Sequence, residues 1–445
     1  MHIFKITFFL MLCVILGQET IVQIPSVNAK IVADSLHLKI KDELNLSLEY
    51  SLENFSLNPD QSIYSAINNE KFVDTLLLYG MDDIRISVMD QITNPIRSVP
   101  ISGGFGRIGE KMVQRYYFLR EAPQFQFGLI DDDRLGARLH FSPEFESHFS
   151  GLFGMNKQHQ NWNLNGEIDL HLENLIQTAG MFDLYWIRTD SLSQIIQIEL
   201  MEPHPFGWEV GTQFRYHHEI ISGFYTVLET KSMLRLFVPL LHQLNLGYTS
   251  GQTYPTEKGQ NNGYEKIRFK AFSLSTNADS RNHRFVPNKG TKFSAALDAG
   301  LQEETGFMKG EFDLHHYIPL TQNIHSMARW TAKGIYGFKT EIPKSRYMIY
   351  GGANTLRGFK EQQFSAPQFQ VMTWEATFQP ISSFQTTLFM DAGTDRLNLF
   401  EHNDVGYGIG FTQLAERTLI KVQYALAKGQ GFDEGKIHIK WVSRL

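Results

Sequence analysis

The chain has 445 residues, enough for one large domain or for two or three of ordinary size. Its 41 lysines and arginines against 47 aspartates and glutamates leave a formal charge of −6, which excludes the basic phosphate-binding surface of a nucleic-acid-binding protein. The single cysteine, Cys13, excludes disulfides, cysteine-based zinc sites and thiol nucleophiles from the rest of the chain.

The N-terminus has the pattern of a secretory signal. One basic residue, Lys5, precedes an apolar run from Phe8 to Leu16, so we expect an exported protein with a signal peptide at 1–29. Cleavage directly after Gly17 is the alternative to cleavage after Ala29. No later run approaches the roughly 18 to 20 apolar residues of a transmembrane helix, so a mature membrane protein would have to be a closed β-barrel.

Residues 30–146 carry mixed signals that predict a small α+β periplasmic region. Asp60 is suited to cap a helix that runs to Gly80, and residues 84–90 alternate as an extended segment does. The stretch 94–109 is rich in proline and glycine, which is typical of a linker or long loop.

From residue 147 to 445 the sequence alternates between apolar and polar residues. Residues 167–173 (EIDLHLE) place aliphatic side chains on one face and charged or polar ones on the other, and residues 436–441 (KIHIKW) do the same. Large apolar groups opposite densely charged ones are expected where a strand separates lipid from a water-filled lumen. About sixteen such segments predict an all-β membrane barrel of about 16 antiparallel transmembrane strands.

This region contains a loop motif with an arginine, two acidic residues on the strands that follow it, and a separate turn motif. The longest predicted connection contains GGANTLRGF, residues 351–359, with Arg357 near its end. On the two strands that follow, Glu375 and Asp391 fall on the polar, lumen-facing side. A guanidinium with its planar fork is well suited to bridge two carboxylates in a confined space. A third motif, DSRNHRFVPNKG at 279–290, precedes a predicted strand.

These motifs resemble those of the BamA/TamA superfamily of outer-membrane assembly and secretion barrels. The resemblance implies that the loop folds inward so that Arg357 meets Glu375 and Asp391 as a structural lock in the lumen. It further implies roles for Gly351, Gly352, Gly358 and Phe359 in the loop motif and for Asp279, Arg281, Pro287 and Gly290 in the barrel turn motif.

The resemblance covers 147–445 well and the N-terminal third poorly. Relatives usually carry periplasmic POTRA domains, small units of strands and two helices that receive client chains by strand addition. Residues 30–146 hold at most a degenerate unit of this kind, so little or no POTRA region is expected.

No cofactor or metal site is predicted. The pairs His217–His218 and His315–His316 each split across the two faces of a strand, so neither pair can chelate one ion from a single face. The acidic run at 131–133 lacks the following ligand spacing of a calcium loop and is typical of a solvated turn.

The resemblance implies a non-enzymatic barrel that assists insertion or translocation of proteins at the outer membrane of a Gram-negative bacterium, with its N-terminal region in the periplasm. Its partners would be outer-membrane lipid and unfolded outer-membrane or secreted client proteins. Two other functions stay open, a passive or solute-selective pore and, with less support, a barrel enzyme acting on lipid.

Overall fold

The computed structural model describes residues 20–43, 47–101, 107–131, 134–158, 161–190, 192–221, 223–238, 243–398 and 404–445. The predicted signal segment up to residue 19, with Cys13, lies outside these residues, as do residues 132 and 133 of the acidic run. The chain divides into two compact units, and the second comprises Asp83–Gln91 and Glu144–Leu445. Within the described ranges, no helix is long and apolar enough to cross a bilayer.

The N-terminal unit begins with a three-stranded antiparallel sheet and one helix. Its elements are β1 (Thr20–Ile24), α1 (Ala29–Glu43), β2 (Leu48–Leu57) and β3 (Asp60–Asn68). Strand β3 lies between β1 and β2. The core of this part is small, and its buried apolar cluster consists of Val22, Ile24 and Val32.

The rest of the N-terminal region combines three strands with two helices. Its elements are β4 (Thr75–Tyr79), α2 (Ile86–Arg97), α3 (Arg107–Arg115), β5 (Gln124–Asp131) and β6 (Arg134–His140). The central strand β6 runs parallel to β4 and antiparallel to β5. This mixed sheet with its helices, together with the antiparallel sheet before it, confirms the small α+β N-terminal region.

Local predictions within this region were wrong. Asp60 begins the strand β3, and Thr75 begins β4, so no helix runs from Asp60 to Gly80. The segment predicted as extended begins a helix instead, because Val88, Ile92 and Ile96 recur every four residues and are all buried. The predicted linker 94–109 contains the end of α2 and the start of α3.

The C-terminal unit is a closed barrel of sixteen strands. They are β7 (His148–Gln158), β8 (Asn161–Glu173), β9 (Met181–Asp190), β10 (Ser193–Glu202), β11 (Gly211–Ile221), β12 (Tyr225–Leu236), β13 (Leu244–Pro255), β14 (Ile267–Asp279), β15 (Gly290–Gln302), β16 (Thr305–Pro319), β17 (Ile324–Gly337), β20 (Gln368–Ile381), β21 (Phe384–Thr394), β22 (Asp404–Leu414), β23 (Thr418–Ala427) and β24 (Lys436–Arg444). Two short strands, β18 (Met348–Tyr350) and β19 (Phe364–Ala366), lie in the connection between β17 and β20, and the short helix α4 (Glu257–Asn261) lies between β13 and β14.

Every barrel strand is antiparallel to both neighbours, which confirms the predicted all-β membrane barrel and its strand number. The alternation of side chains is as predicted from the sequence. On β20, for example, Trp374 is half exposed on the outer face, whereas Thr373 is buried on the inner face. The barrel therefore has an apolar exterior and a polar, charged interior.

The closure between the last and the first barrel strand is short. Strand β24 pairs with β7 at Val442–Ser150, Ser443–Phe149 and Arg444–His148, three residue pairs in all. By comparison, β16 and β17 pair continuously from Phe307–Gly337 to Pro319–His325. We call this junction of β24 and β7 the seam.

Candidate functional site

The connection between β17 and β20 packs against inward-facing residues of the barrel. Its two short strands, β18 and β19, form a hairpin whose Tyr350 ring stacks on Phe364 and Phe369, with ring centroids 5.0 and 4.5 Å apart. Near the tip, Leu356 is completely buried in a cluster that includes the inward-facing Phe307. These apolar contacts hold the loop in one place inside the lumen.

Arg357 binds both acidic residues that the sequence motifs suggested. Its Nε and Nη2 atoms donate to Oδ2 and Oδ1 of Asp391, each at 2.7 Å, and its Nη1 atom donates to Oε1 of Glu375 at 2.6 Å. The backbone N–H of Arg357 also donates to Asp391 Oδ2, at 3.0 Å. The contact with Asp391 is the planar bidentate pair that a lysine cannot form.

The ion cluster is buried. Asp391 is 0% exposed and Arg357 is 5% exposed. The guanidinium carbon of Arg357 lies 3.6 Å from the centroid of the Phe389 ring, so a cation–π contact covers one face of the cation. Because Arg357 and Asp391 are buried, each charge depends on the other for compensation, and loss of one partner leaves an uncompensated charge in the lumen wall.

Glycines permit the close approach of the loop to the wall. A Cβ atom on Gly406 of β22 would collide with the carbonyl oxygen of Arg357, so only glycine lets the loop backbone lie flat on that strand. Gly358 has φ +91°, and a side chain there would meet the backbone of Leu426 at 2.6 Å. The loop therefore packs on the wall strands through close backbone contacts at glycine, in addition to the ion pairs of Arg357.

The other residues of the loop motif shape its turn. Gly351 and Gly352 have φ values of +113° and +96°, which favour glycine. Just after them, the N–H of Ala353 donates to Oε1 of Glu361 at 2.6 Å. Phe359 packs edge-on against Phe364, with ring centroids 5.2 Å apart.

A second arginine contacts the loop from the barrel wall, and no sequence motif pointed to it. Arg329 of β17 forms a bidentate pair with Asp313 of β16, with N···O distances of 3.0 and 2.9 Å. Its Nη1 atom also donates to the carbonyl oxygen of Asn354, at 2.9 Å. The loop tip is thus held by residues of three adjacent strands, β17, β20 and β21.

The barrel turn motif forms a separate structure between β14 and β15. Arg281 folds back on Asp279 as a bidentate pair, with Nε–Oδ1 and Nη2–Oδ2 distances of 2.9 and 2.7 Å. Pro287 is buried, and Gly290 has φ +106°, where a Cβ atom would collide with the carbonyl oxygen of Ser280. These residues shape the turn and do not join the cluster of Arg357.

The same turn contacts strands on both sides of the seam, through residues that the motif comparison missed. Arg284 Nη1 donates to Glu173 of β8 at 2.6 Å, and its Nη2 lies 3.2 Å from Nε2 of His171 on the same strand. Val286, in turn, lies in a buried cluster with Val442 of β24. Because β8 and β24 both flank β7, the turn bridges the junction from inside.

A cavity of about 270 Å³ separates the loop tip from the inner face of the seam. Ser150 of β7 and Gln423, His438 and Lys440 of β23 and β24 line it, together with Arg357. Its lining is polar and carries several cations. Among the described residues, no group of three or more His, Cys, Asp and Glu side chains is placed to hold a metal ion.

Comparisons with known proteins agree with this architecture. The model of the Omp85 superfamily domain matches residues 176–442. No curated protein sequence matches the chain. The chain is similar in structure to BamA from Haemophilus ducreyi lacking POTRA domains 1–3, with a TM-score of 0.56 and 14% identity over 94% of this chain and 93% of that one.

Two further solved structures show the same fold. CdiB from Acinetobacter baumannii has a TM-score of 0.57 and 12% identity, over 94% of this chain and 81% of that one. CdiB from Escherichia coli has a TM-score of 0.59 and 12% identity, over 94% and 84% of the two chains. The family match spans more than half of the chain and includes Arg357, Glu375 and Asp391. The chain belongs to the Omp85 superfamily.

Proposed function

We propose that this protein assists the insertion or translocation of other proteins at the outer membrane of a Gram-negative bacterium, and that clients engage it at the seam. The observation that carries the proposal is the short ladder of three residue pairs between β24 and β7. A barrel whose other junctions are long opens most readily where fewest backbone hydrogen bonds must break.

The exposed part of β24 supplies a template for a client strand. Residues 436–441 pair with β23 on one side, but within the described residues they have no ladder partner on β7. Strand addition to such an edge gains main-chain hydrogen bonds without requiring a particular client sequence. On the outer face, the rings of Phe149 and Trp441 meet edge-on at 6.1 Å, and a small rotation of β24 would separate them.

In this proposal the cluster of Arg357, Glu375 and Asp391 is a structural lock. It fixes the loop to β20 and β21, which lie four and three strands from β24, so that this part of the wall stays closed while the seam opens. The residues of the cluster touch no reacting group, and the proposed activity is non-enzymatic.

The N-terminal region would receive clients in the periplasm before they reach the barrel. Strand β2 is an edge of its sheet, and its Leu52, Phe55 and Leu57 side chains are each more than half exposed. An exposed apolar edge strand is a ready site for strand addition. In this proposal the N-terminal region lies in the periplasm, after a signal peptide that ends near Gly17, because cleavage after Ala29 would remove β1 with its buried Val22 and Ile24.

A disulfide across the seam tests the proposal. Phe149→Cys with Ser443→Cys joins two directly paired residues of β7 and β24. The matched control, Thr377→Cys with Thr387→Cys, joins two paired residues of β20 and β21, where the ladder is long. Liposomes that contain each variant receive an unfolded outer-membrane barrel diluted from urea, and heat-modifiable gel mobility reports its insertion.

We expect the parent and the oxidised control to accelerate insertion over empty liposomes. The oxidised seam variant should fall to the rate of empty liposomes and recover when the disulfide is reduced. Equal rates for the oxidised seam variant and the parent would overturn the proposal.

A solute-selective pore is the second candidate, and one observation favours it. The lumen holds a further cavity of about 460 Å³ lined by charged side chains, among them Arg215, Glu229, Lys309 and Glu311. A charged lumen conducts ions when the path through it is continuous. Large, steady single-channel conductance of the parent in planar bilayers, unchanged by the seam disulfide, would favour the pore over the insertion role.

A further inference from the structure

The outer face of β14 carries two cations at the end that adjoins the α4 connection. Arg268 and Lys270 are exposed. They alternate with Ile267 and Phe269, which face the lumen and are buried, with 3% and 5% of their surface exposed. This alternation points both cationic side chains away from the barrel interior. Lys266 lies just before the strand and places its Nζ atom 5.7 Å from the ring centroid of Tyr254.

The neighbouring outward positions hold no compensating charge. Arg268 lies opposite Gln252, and Lys270 lies between Ser250 and Leu301. By sequence and register, none of the outward positions of β12, β13 and β15 has an ionisable acidic or basic side chain. In the described parts of the chain, no ion pair forms at these two cations.

A groove of about 490 Å³ runs along this face, and its charge is positive. Arg268 and Lys270 line it together with Thr230, Ser250 and Gln252. One acidic residue, Glu303, also lines it, and its Oε1 atom accepts a hydrogen bond of 2.6 Å from the backbone N–H of Arg268. The charge of Glu303 offsets one of the two cations, so the groove keeps a net positive charge.

Below the cations the outer face becomes apolar. Phe272 is 80% exposed, and Tyr248, opposite it on β13, meets its ring edge-on at 6.4 Å. Leu274 and Leu246 continue the strip toward the other end of the strands. The cations therefore stand at the margin of a lipid-facing apolar band, where an uncompensated charge is costly and an anionic lipid headgroup supplies the missing counter-ion.

We propose that this groove binds a phosphorylated glycolipid of the outer leaflet. Its phosphate lies between Arg268 and Lys270, with the amide of Gln252 as a further donor, and an acyl chain lies along Phe272 and Leu274. The inference rests on the proposed periplasmic position of the N-terminal region: β7 then begins at the periplasmic end of the barrel, and because successive connections alternate sides, the α4 connection between β13 and β14 lies outside. It is independent of the client role of the seam.

Lipid binding is measured on the full chain in detergent, by native mass spectrometry and by titration. The probe is diphosphorylated lipid A, and its dephosphorylated form with the same acyl chains is the matched ligand. The test variant is Arg268→Gln with Lys270→Gln. The control variant, Lys258→Gln with Lys339→Gln, removes two exposed cations of the external connections outside the groove. Heat-modifiable gel mobility verifies that every variant is folded.

We expect the parent and the control to bind diphosphorylated lipid A about tenfold or more tightly than the test variant, because the variant lacks both cations that attract the phosphate. Dephosphorylated lipid A should bind all three proteins equally weakly. Equal binding by the test variant and the control would overturn the proposal. Displacement of the lipid by millimolar inorganic phosphate would also overturn it, in favour of a free-phosphate site. The test variant should still insert clients at the rate of the parent, so a failure of the lipid proposal can be distinguished from a failure of the seam proposal.

Discussion

Replacement of Arg357 by alanine should destabilise the barrel strongly. The change removes three side-chain hydrogen bonds, of 2.6 to 2.7 Å, from two carboxylates, one of which is fully buried. Breaking a buried ion pair by removing one partner costs about 3 to 5 kcal/mol, because the remaining charge stays desolvated. We therefore expect the urea midpoint of the reconstituted Arg357→Ala variant to fall markedly, as measured by heat-modifiable gel mobility.

The companion variant distinguishes the charge cluster from simple loss of packing. Adding Glu375→Gln and Asp391→Asn to Arg357→Ala removes the uncompensated charges, so part of the lost stability should return. Arg357→Lys should be intermediate, since a point charge cannot form the bidentate pair. The exposed Arg417→Ala serves as control and should change stability by less than about 0.5 kcal/mol. An unchanged midpoint for Arg357→Ala, or no recovery in the triple variant, would refute the lock.

Three further outcomes are expected. Gly406→Ala should displace the loop and lower the urea midpoint well beyond the effect of Gly429→Ala, a positive-φ glycine with open space around it; equal effects would contradict the close approach. Arg284→Ala should remove one of the two side-chain partners of the buried Glu173, which keeps its 2.7 Å contact with His171, and speed hydrogen–deuterium exchange in β8 and β24, whereas unchanged exchange would show that the turn does not brace the seam. Burial raises the pKa of Tyr116 to about 12, whereas the phenol of the unfolded chain ionises near pH 10. The free energy of unfolding of the N-terminal unit should therefore fall by about 3 kcal/mol between pH 10 and 12. Ellipticity at 222 nm should show this loss in the parent and not in Tyr116→Phe.

The barrel was predictable because membrane strands have a strict two-residue period. That period places Glu375 and Asp391 inside the lumen without knowledge of their neighbours. The contact of both with Arg357 then required only that the long loop fold inward, which the motif resemblance implied. The structure places the three residues together as that reasoning expected.

The contacts that the sequence did not reveal depend on closure of the barrel. Arg284 meets Glu173 across 111 positions of the chain, because the turn between β14 and β15 reaches the strands beside the seam. No local sequence pattern predicts the contact between Arg284 and Glu173, because it depends on the number of strands in the barrel and on their register. Arg329 was missed for a related reason, because its partner Asn354 contributes a backbone carbonyl oxygen.

The N-terminal region was harder to interpret because its elements are short. Asp60 is a good helix N-cap by type, but the residues after it pair with β1 and β2, so tertiary pairing overrides the local preference. Conversely, the spacing of Val88, Ile92 and Ile96 was visible in the sequence as a helical period, although alternation over a shorter window suggested a strand.

Hydrogen–deuterium exchange at the seam is the most direct test that the barrel opens between β7 and β24. Strand β20 is paired on both sides and serves as the internal reference. If the seam opens as proposed, the amides of Val442–Arg444, which pair with β7 in the closed barrel, exchange orders of magnitude faster than those of Met372–Phe378. Exchange at equal, slow rates in both strands would contradict a seam that opens.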